Sequence, residues 1–450
     1  MSGNNEYTEV MYEEQDKGFG TLLRDVLKCL EEEWKSTGEQ DRTERLEMEK
    51  KAIMGYPEEA DKVRDRIREI IEENDFEKSY PPWYRSAEDA VFNELFGLAG
   101  IAPWAYDETE EYIRSSSAKL IGDKLYCLID GKSVLQPQRI GRKRREQLKR
   151  ALLMATPNER LENGFHEVYL YNGIRVTIFS GHRTKEGQDI MVFRKYVLEN
   201  MKFEDLAELG TIPPGSGELF SLLVKAGVNV IFAGPVRSGK TTFLRVWQSY
   251  EDRDLEGLAI ATDPETDWTK IMGDAPMMQI VADGEELENI TKPILRGDND
   301  YVLLEEMRDA VAFNIALEIT SLGTRRSKAT VHTMSADALP YMMAEKIRHR
   351  YGGETRDIIR KIVENFDLVF EFRQMDDNRS VKKLTAITQY YIDKETGKPA
   401  SLKMMKYDFA GSRWIWNSNL CCKMKEILRT HPDEARRIVE ILKDLEASSR

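Results

Sequence analysis

The sequence predicts an α/β fold built on a parallel sheet, and three observations indicate it. An apolar run rich in β-branched residues, 228–232, leads into a glycine-containing loop. Two later apolar runs, 258–262 and 301–304, end in acidic residues, and a fourth, 329–331, ends at His332. Because helical patterns separate these runs, we expect parallel strands whose carboxyl ends share one edge of the sheet.

The loop after the first strand fits the pattern G-x-x-x-x-G-K-[ST] from Gly234 to Thr241. Glycines let backbone N–H groups turn inward around an anion, and a helix beginning near Lys240 adds its positive end. Lys240 can reach the β- and γ-phosphates of a nucleotide, and the Thr241 hydroxyl can ligate Mg²⁺. A chance glycine turn before a helix is the alternative, but strand, loop and helix occur in the required order. The residues predicted to contact a nucleoside triphosphate are Gly234, Pro235, Val236, Arg237, Ser238, Gly239, Lys240, Thr241 and Thr242.

Acidic residues follow the next two strands. The run 258–262 leads into Asp263, Pro264 and Glu265, and the run 301–304 leads directly into Glu305 and Glu306. Acids in these places approach the Mg²⁺ ion or the water that attacks the γ-phosphate. His332 ends the fourth strand, and a structural histidine remains an equal alternative for it.

Composition limits the remaining possibilities. A chain of 450 residues has a prior of about three domains, and its net charge of −13 argues against a protein that coats nucleic acid. The acidic first fifteen residues lack the apolar segment of a signal peptide, and no apolar run approaches the ~18 residues that span a bilayer. The four cysteines contain no C-x-x-C pair. We therefore expect a soluble, cytoplasmic protein.

Four segments are predicted from the pattern along the chain. Residues 1–80 form a charged helical extension whose apolar stripes pack on the chain's own body or, alternatively, dock a partner. Residues 84–205 form an α+β domain that contains a hairpin turn at Asp130-Gly131 and two strands bearing Arg175 and Arg194. Its basic helix, 139–150, is either a solvated face or a site for anionic lipid or nucleic acid. Residues 206–412 form the ATPase domain, and 413–450 form a charged helical tail.

From about Ala90 to Phe409 the chain resembles the type II/IV secretion-system ATPase family, nearest the branch that powers Flp/Tad-type pilus assembly. The similarity begins with Val91-Phe-Asn-Glu-Leu-Phe-Gly97 and continues through Asn172-Gly-Ile-Arg-Val176 and Phe193-Arg-Lys195. The family's Asp box is similar to residues 262–265, its Walker B region to residues 304–308, and its His box to residues 329–332. The zinc-binding cysteine quartet of other branches is missing, which favours the Flp/Tad branch.

This resemblance implies a hexameric ring whose subunits pair an N-terminal domain with a RecA-like P-loop motor domain. It implies ATP and Mg²⁺ as ligands and a polytopic membrane platform protein as partner. The motor would be peripheral at the cytoplasmic face of the membrane and would hold no stable nucleic acid. The implied catalytic residues are Lys240, Glu306, Arg308, His332, Arg175 and Arg194, and the implied metal ligands are Thr241, Asp263 and Glu306.

The chain departs from the family pattern at three places in these motifs. Glu305 and Asp309 stand where glycine is usual, and Thr262 stands where glutamate is usual. These departures leave open a nucleotide-binding assembly subunit that does not hydrolyse ATP. A motor that translocates nucleic acid also remains open, and the basic helix 139–150 is the only feature that supports it.

Overall fold

The computed structural model describes residues 4–35, 39–156, 164–179, 184–185, 188–195, 201–262, 266–282, 284–333 and 335–449. The chain divides into two compact units, Met1–Val197 and Leu198–Arg450. This division is coarser than the four segments expected from the sequence, which stay a prediction. The α/β class of the fold is confirmed.

The first unit packs helices against an antiparallel sheet. Its helices are α1 (Asn4–Lys35), α2 (Glu39–Ile53), α3 (Pro57–Glu73), α4 (Ala87–Leu95), α5 (Ala102–Ala105), α6 (Glu110–Ile113) and α7 (Arg142–Met154). Its strands are β1 (Ser117–Ile121), β2 (Lys124–Ile129), β3 (Lys132–Arg139), β4 (Phe165–Tyr169), β5 (Arg175–Phe179) and β6 (Ile190–Arg194). Among the described residues they form one sheet in the order β3-β2-β1-β6-β5-β4.

The apolar stripes of the predicted extension belong to the core of this unit. Leu22, Val26 and Leu30 of α1 are buried in the same cluster as Ile67 and Ile70 of α3. That cluster also contains buried residues of all the helices from α4 to α7 and of most of the strands, so packing on the chain's own body is confirmed for these positions.

The predicted hairpin turn joins β2 to β3. Asp130 and Gly131 have φ of 47° and 75°. Positive φ at both central residues is the conformation of a type I′ turn, whose twist matches the flanking antiparallel strands.

The second unit is a three-layer α/β structure. Its helices are α8 (Phe203–Glu208), α9 (Gly217–Lys225), α10 (Lys240–Ser249), α11 (Trp268–Met272), α12 (Gly284–Arg296), α13 (Ala310–Ser321), α14 (Leu339–Tyr351), α15 (Thr355–Asn365), α16 (Cys422–Ile427) and α17 (Pro432–Ser449). Its strands are β7 (Val230–Ala233), β8 (Gly257–Ala261), β9 (Met277–Val281), β10 (Tyr301–Met307), β11 (Lys328–Val331), β12 (Leu368–Gln374), β13 (Lys382–Ile392), β14 (Pro399–Asp408) and β15 (Arg413–Trp416).

The strands of this unit form one sheet in the order β15-β14-β13-β12-β7-β11-β10-β8-β9 within the described residues. The strands from β12 to β9 are parallel to their neighbours, whereas β13, β14 and β15 continue the sheet by antiparallel pairing. The strand β7 lies inside the sheet and is buried on both faces. Val230 and Phe232 point to one core, and Ile231 and Ala233 point to the other. The expected parallel arrangement is confirmed.

The residues predicted as a C-terminal tail contribute to this unit. The strand β15 pairs with β14, so the sheet continues past residue 412. Met424 of α16 and Ile438 and Leu442 of α17 are buried in the core that also holds α9 and α10. Their apolar stripe covers one face of the sheet, and a charged composition on the outer face does not prevent that packing.

A buried carboxylate holds this unit together at the amino end of β7. Asp367 is fully buried and accepts a hydrogen bond of 2.7 Å from the Asn229 backbone N–H. It also forms ion pairs of 2.7 Å with Arg325 and 2.9 Å with Lys423. The ammonium of Lys423 donates further hydrogen bonds to two backbone carbonyls at the end of α15. One side chain therefore links β7, the segment before β11, and α16.

We expect Asp367→Ala to lower the free energy of unfolding by about 3–5 kcal/mol, because it leaves a buried cation without its partner. The measurement is urea unfolding of the whole chain followed by tryptophan fluorescence. Asp376→Ala removes an exposed carboxylate from the turn after β12 and is the matched control. Equal unfolding midpoints for the two variants would contradict this account.

Candidate functional site

The loop between β7 and α10 has a backbone that only glycine allows at two positions. The φ angles of Gly234 and Gly239 are 153° and 97°. A Cβ added at Gly234 would collide with the carbonyl oxygen of Phe372 and would lie 2.6 Å from Ser238 Oγ. Gly239 lies in the left-handed region immediately before α10. These two residues let the loop fold tightly against β12 and turn into the helix.

The helix α10 is fixed below the loop by aromatic packing. Phe243 and Trp247 lie with ring centroids 5.3 and 5.7 Å from Phe232 of β7. Both also contact Phe370 of β12, at 5.5 and 5.3 Å. All four rings are buried. This cluster holds the amino end of α10 in a constant position relative to the loop.

The loop itself has the properties of an anion site. The hydroxyl oxygen of Ser238 is buried and has no hydrogen-bond partner within the part of the chain that the structure describes. Val236 and Arg237 are exposed at the tip, and Thr241 and Thr242 are half-buried in the first turn of α10. A helix of ten residues directs its first N–H groups and the positive end of its dipole toward the loop. The residues present therefore fit a phosphate group.

Lys240, His332 and Glu306 form a chain of contacts beside the loop. The ammonium of Lys240 donates to the carbonyl oxygen of Pro235 at 2.8 Å and lies 3.3 Å from His332 Nδ1. His332 Nε2 lies 2.5 Å from Glu306 Oε1. His332 Nδ1 lies 3.3 Å from the Gly234 carbonyl oxygen as well. Because an ionised carboxylate can only accept, His332 donates from Nε2 to Glu306. The structure thus brings together three residues that are far apart in the sequence.

The surroundings shift the pKa values of both charged ends of this chain. Burial lowers the pKa of Lys240 to about 8, although the charge of Glu306 acts in the opposite direction. Burial would raise the pKa of Glu306, but hydrogen bonds from His332 and Arg308 outweigh it and hold that pKa at about 2. Glu306 is therefore a carboxylate throughout the physiological range, while Lys240 can lose its proton in mildly alkaline solution.

Arg308 and Asp309 follow Glu306 at the end of β10. Arg308 forms an ion pair with the Glu306 carboxylate. Asp309 caps α13, and its side chain accepts a hydrogen bond of 2.9 Å from the Ala312 N–H. The cap explains physically why an aspartate can occupy a position where the family usually has glycine.

Glu305 has a different environment from its neighbour Glu306. Its side chain is buried, and Oε1 accepts a hydrogen bond of 2.6 Å from the indole N–H of Trp268 at the start of α11. Its backbone oxygen accepts from the Thr330 hydroxyl in β11. Successive strand residues point to opposite faces, so only one of the two acids faces the loop. The contact with Trp268 escaped the sequence patterns, because nothing local marks two residues 37 positions apart as partners.

The other predicted site residues lie outside the described residues or belong to the first unit. Asp263, Pro264 and Glu265 lie outside the described residues. Arg175 and Arg194 belong to the first unit, where they face each other directly across β5 and β6. Arg175 forms an ion pair with Glu167 of β4, and Arg194 is exposed. The residues gathered at the loop are thus those of the second unit.

Two residues of the site carry oxygen atoms of the kind that bind Mg²⁺. Mg²⁺ in nucleotide sites takes one or two protein oxygens and completes its shell with phosphates and water. The Thr241 hydroxyl and the ionised Glu306 carboxylate are oxygen donors of this kind. No cluster of three or more His, Cys, Asp or Glu residues able to hold a metal ion occurs in the described residues. The residues present fit an ion held mainly by the nucleotide.

The basic helix α7 uses part of its charge inside the first unit. Arg144 donates hydrogen bonds of 2.9 and 2.8 Å to the carbonyl oxygens of Asn93 and Gly97, at the end of α4. Arg145 is buried and donates to the carbonyl oxygen of Ile140 at 2.7 Å. These two arginines cap and position backbone, so the helix offers a weaker cationic surface than its sequence suggests.

Comparison with known proteins finds similarity to one protein family and to individual bacterial proteins. Residues 183–373 match the family described as "Type II/IV secretion system protein". The chain is 27% identical over 151 residues to the competence protein ComGA of Bacillus subtilis, covering 31% of this chain and 41% of that protein. It is 19% identical over 239 residues to an uncharacterized protein of Bacillus anthracis, covering 50% of this chain and 52% of the relative. The chain therefore spans about half the length of these relatives.

A solved structure is similar over a larger part of the chain. It is the pilus retraction motor PilT with bound ADP, at 15% identity and a TM-score of 0.47. The similarity covers 75% of this chain and 89% of that one.

Among the described residues, every helix is too short or too polar to cross a bilayer.

We expect nucleotide affinity to fall as the pH rises through about 8, because Lys240 loses its proton there and phosphate binding needs the cation. Because the pKa of Lys240 is about 8 in the free protein, Lys240 is mostly neutral above that pH. Nucleotide binding there must be accompanied by the uptake of a proton. Isothermal calorimetry of ADP binding in two buffers of different ionisation enthalpy counts that proton. Lys225→Ala, an exposed lysine at the end of α9, should keep the wild-type profile. Binding above pH 8 without proton uptake would contradict this assignment.

Proposed function

We propose that this chain, whose residues 183–373 belong to the type II/IV secretion system protein family, is the ATP-hydrolysing motor of a secretion or pilus-assembly system. The observation that carries the proposal is the chain of contacts from Lys240 through His332 to Glu306 beside a loop shaped for phosphate. A loop that only binds nucleotide needs the lysine and the backbone N–H groups. An ionised carboxylate oriented by a histidine is a further feature that suits hydrolysis.

Each residue has a defined part in the reaction. The loop N–H groups and Lys240 hold the β- and γ-phosphates, and Glu306 orients the attacking water and accepts its proton. The water oxygen bonds to the γ-phosphorus while the bond to the ADP oxygen breaks. His332 holds the Glu306 carboxylate in place by donating from Nε2, and Arg308 balances its charge. Mg²⁺ held by Thr241 and Glu306, with Asp263, would neutralise phosphate charge.

We further propose that copies of this chain assemble into a ring. Six copies arranged in a closed ring would place each nucleotide at a boundary between neighbours, where hydrolysis can drive movement of the units. Arg175 and Arg194 would reach the phosphates from the first unit and stabilise charge in the transition state. The ring would act at the cytoplasmic face of a membrane, on a polytopic platform protein, and the Flp/Tad branch remains our prediction for its place in the family.

Substitution of the two acids tests hydrolysis. We expect Glu306→Gln to bind ATP and to turn it over at least ~100-fold more slowly, because the amide cannot accept the proton. Glu305→Gln is the matched control one position away, and it should be milder because its side chain contacts Trp268 instead of the loop. Phosphate release by the purified variants is the measurement. A severe loss in Glu305→Gln with activity kept in Glu306→Gln would assign the role to the other acid. Wild-type protein that binds ATP but releases no phosphate would favour a non-hydrolysing subunit.

The dependence of ATPase activity on ring assembly tests the proposed catalytic role of Arg175 and Arg194. We expect activity per subunit to rise with protein concentration as rings form, and Arg175→Ala and Arg194→Ala each to lower turnover by about 10³-fold, the scale of an arginine finger. Arg114→Ala removes an exposed arginine of the same unit and should be neutral. Phosphate release is measured against concentration, beside sedimentation velocity to count rings. A monomer with full activity would reject the ring mechanism.

A further inference from the structure

A second lysine lies against the loop from the opposite side of β7. The strand β13 begins at Lys382, which pairs with Gln374 at the end of β12. A Cβ placed on Gly239 would lie 3.4 Å from Lys382 Cδ, 3.7 Å from its Cβ and 3.9 Å from its Cγ. The aliphatic part of Lys382 therefore runs across the residue that closes the loop, and its ammonium lies beyond Cδ.

The ammonium of Lys382 has no ion pair or hydrogen bond with any residue that the structure describes. Burial lowers the pKa of this lysine, and the nearby charge of Arg237 at the loop tip lowers it further. Lys382 is half-buried, so its ammonium is partly desolvated, and an anion beside it would offset the free energy that this desolvation costs. The surroundings of Lys382 therefore favour the binding of an anion beside its ammonium.

Its neighbour Lys383 shows the contrast. Lys383 Nζ donates a hydrogen bond of 2.7 Å to the Gly210 carbonyl oxygen and lies 4.8 Å from the centre of the Trp414 ring. Successive residues of β13 point to opposite faces, so Lys383 points away from Gly239. The two adjacent lysines thus have different environments. Lys383 is hydrogen-bonded to the backbone, whereas the side chain of Lys382 lies along the loop.

The order of strands decides which part of a nucleotide Lys382 can reach. The sequence of neighbours is β13-β12-β7-β11-β10, so β13 lies on one flank of the loop strand. Glu306 at the end of β10 and His332 after β11 lie on the other flank. Lys382 is therefore separated from the groups proposed to act on the γ-phosphate. A nucleotide with its γ-phosphate beside Glu306 would bring the phosphates that ADP and ATP share nearer to Lys382.

We propose that Lys382 is a second cationic residue of the nucleotide site, which binds the α- or β-phosphate from the flank opposite Glu306. This inference rests on the proposed function, because it needs a nucleotide in the loop. Lys382 acts in binding and positioning, whereas Glu306 acts in hydrolysis. The contact of Gly234 with the Phe372 carbonyl keeps β12 and the loop together, so the lysine is positioned before the ligand arrives.

The test compares four variants by ADP and ATP binding and by phosphate release. Lys382→Met removes the charge and keeps the stem that covers Gly239, and Lys382→Arg restores a charge. Lys383→Met removes an equal charge from the neighbouring position, and Lys240→Ala removes the established lysine of the pattern. Thermal unfolding of each variant reports whether the fold is intact.

Lys382→Met should raise the dissociation constants of ADP and ATP equally, by about tenfold, the loss of one charge-assisted hydrogen bond. The Michaelis constant for ATP should rise by a similar factor, Lys382→Arg should recover most of the affinity, and Lys383→Met should bind ATP and turn it over as wild type. Unchanged ADP and ATP affinity in a folded Lys382→Met protein would overturn the inference and leave Lys382 a packing role. Weakened ATP binding with normal ADP binding would also overturn it, by placing Lys382 at the γ-phosphate. Wild-type protein that binds neither nucleotide would reject the proposed function itself.

Discussion

The tight approach of the loop at Gly234 to the backbone of β12 is the constraint on which the site depends. No side chain fits between Gly234 and the Phe372 carbonyl, so the loop, β7 and the end of β12 form a single packed unit. The aromatic rings of Phe243 and Trp247 extend this packing to α10. Loop backbone, helix terminus and the start of β13 consequently hold constant positions relative to one another, and an anion in the loop meets groups that are already in place.

Charge at the site is organised across the two flanks of β7. On one flank, four side chains form a continuous series of contacts: Lys240 with His332, His332 with Glu306, and Glu306 with Arg308. The negative charge of Glu306 thus lies between the positive charges of Lys240 and Arg308. The Lys240 ammonium donates to the Pro235 carbonyl and lies beside His332. A phosphate bound in the loop would compete for the same ammonium. That competition connects binding at the loop with the orientation of His332 and, through its other ring nitrogen, with Glu306.

The departures from the family pattern have local structural partners. Asp309 caps α13, and Glu305 accepts a hydrogen bond from Trp268. The second contact joins β10 to α11, the helix that follows the Asp box. A buried carboxylate held by an indole N–H is a specific pairing, because removing either member leaves a buried polar group unsatisfied. Asp309 and Glu305 therefore contact the elements around the site, α13 and α11, whereas Glu306 lies beside the loop.

The sequence by itself determined the strand–loop–helix unit and the α/β class, because the residues that specify them are consecutive and their constraints are local. Glycine at 234 and 239, a lysine at the start of a helix and acids at strand ends can all be recognised within a few residues. The type I′ turn at Asp130-Gly131 was predictable for the same reason. The strands β9, β14 and β15 and the packing of the last helices were not, since pairing and burial of those segments depend on distant neighbours. Only the tertiary structure decided that Trp268 meets Glu305, that His332 bridges Lys240 and Glu306, and that Lys382 lies on Gly239. These contacts depend on the pairing of strands that are separate in the sequence, which local patterns do not specify.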